Sequence, residues 1–286
     1  MKHSIGCAVA ALIFLLGATC SGQAADVDNS PVVQVVTPGS HTRFLDLARH
    51  FVSDLDGMGN TFTGRKFNPV RHIGGDDYTN RDVESFGLFD VSHVMMKADG
   101  KDRLLVLFDF SQAANAAQGI AILALYDLSA EKPTLLDAAD IGFDASTYFF
   151  DQALLRVSDR TDVILTLSSH FNSNQNYATQ SIILVRNDRF ELIDSTTLLG
   201  ERHCGVDRQQ VIRYAANPTE GKPYAPIKVT VTDTASAIEE VCADLEPAEL
   251  GVREIKATYV WNAGKDRYLP DSDSIELLEK DNQSRY

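Results

Sequence analysis

The chain has 286 residues, 44% of them hydrophobic, and a formal net charge of −14 at pH 7. That apolar share excludes general disorder, and a chain of this length can bury a sizeable core unaided. The charges are spread rather than blocked, and a field of that sign repels phosphate backbones, which sets nucleic acid aside as a partner.

Residues 1–24 read as a signal peptide. Lys2 supplies a positive flank, Ile5 to Leu16 is an almost unbroken apolar run, and Gly22-Gln23-Ala24 has the small-x-small pattern that a signal peptidase cuts behind. The run is shorter than the ~20 apolar residues of a spanning helix. Residues 25–286 are therefore predicted to form a single exported globular domain, periplasmic or secreted, without a transmembrane segment. Gly17-Ala18-Thr19-Cys20 follows the lipoprotein pattern only in part, because glycine stands where a large apolar residue is usual. Soluble export fits better than a lipid anchor at Cys20.

Val32 to Val36 is a β-branched run that reads as a first strand, ended by Pro38-Gly39-Ser40. Phe44, Leu47, Ala48, Phe51 and Leu55 then recur at helical spacing. They predict an N-terminal amphipathic helix with Ser40 as its N-cap and Asp56-Gly57 at its end. Residues 57–85 mix glycine, asparagine and aspartate with little periodicity and are predicted to be a long loop or flap, the kind of segment that carries sites.

From Phe86 the pattern is strand, turn, strand. Leu88–Met96 and Leu104–Phe110 flank Asp99-Gly100, and Ile120–Leu128 follows. Ala153–Val157 and Val163–Leu167 flank Asp159-Arg160-Thr161, and Ser181–Val185 and Phe190–Ile193 flank Asn187-Asp188. Val211–Tyr214, Ile227–Val231 and Ile255–Trp261 continue the series, and Asp271 to Glu279 reads as a short C-terminal helix. The fold class is mainly β: antiparallel hairpins in series, propeller-like or sandwich-like. No blade signature recurs at fixed spacing.

Three kinds of chemistry have candidate residues. Asp54-Leu55-Asp56-Gly57 and Asp99-Gly100 offer fragments of a calcium loop but lack its alternating oxygen ligands. A hydrolase would need His72 or His170, an acid such as Asp76 or Asp77, and Ser169 to converge between the 57–85 segment and the 168–177 loop. Neither a G-x-S-x-G elbow nor a His-x-x-x-His zinc pattern is present. The most distinctive composition is His170-Phe171-Asn172-Ser173-Asn174-Gln175-Asn176-Tyr177. Its amides donate and accept, and its aromatic faces stack on flat apolar surfaces, which suits sugar hydroxyls or a peptide backbone. Tyr259, Trp261 and Tyr268 read as cross-strand packing.

The expected function is thus a non-catalytic exported protein that binds a protein or a cell-envelope glycan through His170, Phe171, Asn172, Asn174, Gln175, Asn176 and Tyr177. The alternatives are the hydrolase above and a calcium-stabilised structural protein. No cofactor motif is present. Cleavage of the leader removes Cys7 and Cys20 and leaves Cys204 and Cys242, an even pair that reads as one disulfide in an oxidising compartment. Mass spectrometry of non-reduced peptides from the mature protein is expected to find Cys204 joined to Cys242; free thiols there would refute the pairing.

Overall fold

The computed structural model describes residues 31–58, 61–75, 85–112, 118–172, 174–203, 205–239 and 250–285. The leader, Asp76, Asp77, Ser173, Cys204 and Cys242 lie outside the described residues. Among the described residues there are three antiparallel sheets. The first joins β1 (Asp56–Met58), β2 (Thr61–Gly64) and β3 (Phe86–Leu88). The second runs in chain order through β4 (Asp90–Ala98), β5 (Lys101–Gln112), β6 (Gly119–Asp127) and β7 (Thr134–Asp140). The third is an eight-stranded meander. It comprises β8 (Ser146–Ser158), β9 (Thr161–Phe171), β10 (Gln175–Arg186), β11 (Arg189–His203), β12 (Val206–Ala216), β13 (Ile227–Ala237), β14 (Gly251–Asn262) and β15 (Arg267–Pro270).

The tight turns follow from residues that tolerate a left-handed backbone. Asp99 (φ 50°) and Gly100 (φ 83°) join β4 to β5, and Asn187 (φ 52°) and Asp188 (φ 57°) join β10 to β11. Two successive positive φ values match the twist of the flanking strands.

The sheets stack face to face, as in a sandwich. Leu105, Leu107, Leu123 and Leu125 of β5 and β6 pack against Ile164, Ile183 and Val185 of β9 and β10. The alternate residues Leu104, Val106, Phe108, Ile122 and Tyr126 face the N-terminal segment on the other side. Val163, Leu165, Ile182 and Leu184 in turn face a third cluster within the curled meander. Four consecutive-hairpin strands are therefore covered on both faces, which is why they read as unbroken apolar runs. Full burial of each such side chain contributes about 1.5–3 kcal/mol.

The meander divides between β11 and β12, which among the described residues pair only at Glu201–Arg208, Arg202–Asp207 and His203–Val206. Beyond that point the β12–β15 half folds over the β8–β11 half. Ala225 N donates to Val157 O at 2.7 Å, and the Phe150 and Tyr214 rings meet edge to face at 6.0 Å. The C-terminal helix α2 enters the opening; α2 spans Ser274–Gln283 and buries Ile275 and Leu278. Its polar side chains take over from the missing ladder. Thr197 N donates to Glu279 Oε1 at 2.9 Å, and Asn282 Nδ2 donates to Thr197 O at 2.9 Å. Leu199 N donates to Gln210 Oε1 at 3.0 Å.

The N-terminal segment departs from the expectation. The helix α1 covers only Phe44–Ala48, with Arg43 rather than Ser40 as N-cap; Asp46 Oδ2 accepts Arg43 N at 2.9 Å. Phe44, Leu47, Ala48, Phe51 and Leu55 are all buried, although only the first three lie within the helix. A competing backbone pairing stops the helix: Asn68 N donates to Phe51 O at 2.7 Å and Ser53 N to Lys66 O at 3.0 Å. Pro31–Val33 forms a short 3-10 turn and Val35 a single bridge to Arg43, in place of a first strand. The described part of 57–85 holds the end of β1 and all of β2, and its Phe67 stacks on Phe86 at 4.6 Å.

Burial pushes the Glu279 carboxyl above the ordinary glutamate value, and nearby Asp194 adds to the effect. A carboxyl raised in the folded state binds more protons there than in the unfolded chain, so its contribution to stability falls as pH rises from the unfolded value upward. Glu279→Gln keeps the acceptor for Thr197 N and removes the buried charge. Its melting temperature is expected to exceed the parent's at pH 7–8, with the difference vanishing below about pH 4. A parent that is equally or more stable at pH 7–8 would contradict this.

Candidate functional site

The site begins at the strap between β7 and β8. Asp140 Oδ1 accepts Gly142 N at 2.9 Å and Ala121 N at 3.2 Å, and Gly119 N donates to Asp144 O at 2.8 Å. The strap crosses β6 so closely that a Cβ on Gly142 would lie 2.3 Å from Gly119 O, and one on Gly119 would lie 2.3 Å from Ala145 O. Only glycine at both positions permits the crossing. The strap delivers Asp144 to the end of β9.

There His170 Nδ1 lies 2.6 and 2.7 Å from the two carboxylate oxygens of Asp144. The Asp144 side chain is 11% exposed and that of His170 41%. In the neutral ring with Nδ1–H donating to the carboxylate, Nε2 is an acceptor, and among the described residues it has no hydrogen-bond partner. Tyr177 stands opposite His170 in the β9–β10 register, and the two rings stack at 4.7 Å. The Tyr177 hydroxyl donates to Gln175 Oε1, and burial raises its pKa, keeping it a donor. The hydroxyls of Thr179 and Thr197 lie 3.1 Å apart further along the same face. These groups line an open cleft of about 1120 Å³, together with Gln118, Phe143, Asn172 and Asn176.

A second cleft of about 590 Å³ opens on the other face of the hairpin, where β11 and β12 part. Phe171, Asn174, Asn176, Leu198, Gly200 and Arg208 are among its walls. Phe171 and Asn176 border both clefts. Phe171 is 76% exposed at the hairpin tip.

The amide-rich connection is shorter than its composition implied. β9 continues through Phe171 and β10 begins at Gln175, because strand pairing continues through Asn176–Phe171. Asn172 Oδ1 closes the turn by accepting Gln175 N at 2.8 Å and Asn174 N at 3.3 Å. Six of the seven predicted residues thus line a cleft. Gln175 lines neither and instead holds the Tyr177 hydroxyl.

Of the predicted hydrolase residues, Asp76 and Asp77 lie outside the described residues, and His72 and Ser169 are held by other partners. His72 lies behind Phe143, their rings edge to face at 5.0 Å, with its Nδ1 3.0 Å from Ile73 O and its Nε2 3.2 Å from Gly142 O. Ser169 Oγ is 3.4 Å from the Tyr148 hydroxyl. Ser168 shares the face of His170, but it is buried, with its Oγ 2.8 Å from that of Thr147 and donating to Ile141 O at 3.3 Å. The acid that meets His170 is Asp144, which sequence reasoning missed.

The turn acids bind backbone. Asp54 Oδ1 accepts Arg65 N and Lys66 N, both at 2.8 Å, and the Lys66 N–H holds the carboxyl below its ordinary value. Asp56 Oδ1 accepts Gly57 N at 2.9 Å and Asp99 Oδ2 accepts Asn187 N at 2.9 Å. Among the described residues, no group of three or more His, Cys, Asp or Glu is placed to hold a metal ion. Likewise no helix there is long and apolar enough to cross a membrane. Trp261 packs edge-on against Tyr268 at 5.5 Å, and Tyr259 is buried with its hydroxyl on Asp194. Comparison with protein-family models, curated proteins and solved structures gave no match.

Proposed function

We propose that this is an exported, non-catalytic β-rich protein that binds cell-envelope glycan in the cleft above His170 and Tyr177. The supporting observation is the stacked His170–Tyr177 pair, oriented by Asp144 and bordered by Asn172, Asn176, Thr179 and Thr197. A sugar ring presents an apolar C–H face and a rim of hydroxyls. An aromatic floor with amides and hydroxyls around it meets both. A concave cleft with a few convergent polar groups favours such a ligand over a flat protein surface, which needs a broad contact. The leader read from residues 1–24 supports export to where such glycans lie.

Phe171 is too exposed to support the fold, so Phe171→Ala is expected to leave the melting temperature unchanged. It should weaken binding of soluble envelope oligosaccharides about tenfold by calorimetry, about 1.4 kcal/mol. Unchanged affinity would remove Phe171 from the site, and no binding by the parent would sink the glycan reading.

One observation favours a second reading. A histidine held at Nδ1 by a buried carboxylate, with Nε2 unpartnered, is two-thirds of a Ser-His-Asp arrangement. Among the described residues no hydroxyl hydrogen-bonds to Nε2, so His170 would act on water as a general base. Under the binding reading, His170→Gln alters affinity and neither protein turns over ester or glycoside panels. Turnover by the parent that disappears in His170→Gln would replace binding with hydrolysis.

A further inference from the structure

The two clefts lie on opposite faces of one hairpin. Side chains alternate along a strand, and the pairs Tyr177–His170 and Asn176–Phe171 therefore face opposite ways. The larger cleft sits on the His170 side and the smaller one in the mouth of the β11–β12 divide, yet Phe171 and Asn176 border both. An aromatic ring and an amide thus stand at the crossing point between the two clefts. A single sugar can occupy one cleft. Only a chain reaches both.

Among the described residues, every side chain lining either cleft that can carry a positive charge has a carboxylate beside it. His170 faces Asp144 in the larger one. In the smaller one Arg202 pairs with Asp207 at 3.2 Å, and Arg208 lies 3.7 Å from both Glu201 and Asp233. No surplus cation is offered to a uronate, phosphate or sulfate group, and the chain's net charge of −14 repels polyanions. We infer that the ligand is a neutral, linear oligosaccharide that passes around the β9–β10 tip and fills both clefts at once; this rests on the glycan reading above.

Occupying a second cleft with the same molecule makes the second contact intramolecular, so affinity grows with chain length until both clefts are filled. Gly200 allows the smaller cleft to be blocked alone. A Cβ there would meet its nearest neighbour, Asn176 Cβ, at 3.5 Å, an ordinary contact, and a longer side chain would project into the cleft. Val211, another wall residue, is 52% exposed and can be changed without touching the core.

The test is calorimetry of the full chain with neutral mono-, di-, tetra- and hexasaccharides from one series of envelope glycan, against Gly200→Val and Val211→Ser. The hexasaccharide should bind the parent at least about tenfold tighter than the disaccharide. Gly200→Val should bring the hexasaccharide down to disaccharide affinity while leaving the disaccharide unchanged, and Val211→Ser should move it the same way by a smaller factor. Equal affinity at all lengths, or long-chain binding untouched in both variants, overturns the two-cleft inference and leaves the larger cleft as a glycan site. A uronate-containing hexamer that binds tighter than the neutral one overturns the charge assignment. If no oligosaccharide binds, the glycan reading itself falls, and the inference with it. A melting temperature for Gly200→Val close to the parent's confirms that the block is local; if that variant is unfolded, Val211→Ser decides alone.

Discussion

The parting of β11 and β12 after three residue pairs is the constraint from which much of the architecture follows. A flat eight-stranded meander would leave one face in water and two long edges open to aggregation. Dividing it lets one half close over the other and create an additional apolar layer. The division also leaves backbone groups of β11 without a strand partner, and buried unpaired groups of that kind cost about 1–3 kcal/mol each. Glu279, Asn282 and Gln210 supply those partners from side chains. The C-terminal helix is accordingly part of the sheet's hydrogen bonding as well as a lid on its core.

The same end of the molecule is closed by charge. Glu201, Arg208, Asp233, Arg253, Asp281 and Arg285 form a ring of alternating sign, with separations from 2.8 to 3.8 Å. The ring ties β11, β12, β13, β14 and α2 together just where the ladder is thinnest. Arg208 and Asp233 are nearly inaccessible, and removing one member of a buried pair commonly costs about 3–5 kcal/mol because its partner is left uncompensated. These charges lie beside the smaller cleft, which Glu201 and Arg208 also line.

Hairpin order and turn positions were legible because both are local. Asp99-Gly100 and Asn187-Asp188 mark their turns by chemistry, and the apolar runs mark strands of the right extent. The layering was not legible, since a strand covered on both faces has no alternation to show which partner lies on which side. α1 shows a related limit: Phe51 and Leu55 keep helical spacing although the backbone there pairs with residues 66–68. Asp144 was hidden by a register shift. Phe149 faces Thr166 but Leu154 faces Ile164, so β8 carries three more residues than β9 across that stretch. Counting outward from the Asp159-Arg160 turn would have placed Asp144 beyond the tip of β9 instead of beside His170.

The location of the clefts follows from where the covering layers stop. Along β10 the residues from Ile182 to Val185 are apolar and covered on both faces, whereas Gln175, Asn176 and Thr179 lie towards the hairpin tip, beyond the packed sheets. On β9 the same change falls between Leu165 and Ser168. The hydroxyls of Thr147, Ser168, Thr179 and Thr197 mark this boundary, each hydrogen-bonded to a neighbouring strand. Past it, a carboxylate and an imidazole can sit together at the rim with the imidazole partly in water, avoiding the full cost of burying a charge. The packed layers position the strands, and the polar residues at their ends are placed by them while remaining partly accessible. A hairpin that emerges from between two layers thus presents a different polar surface on each face.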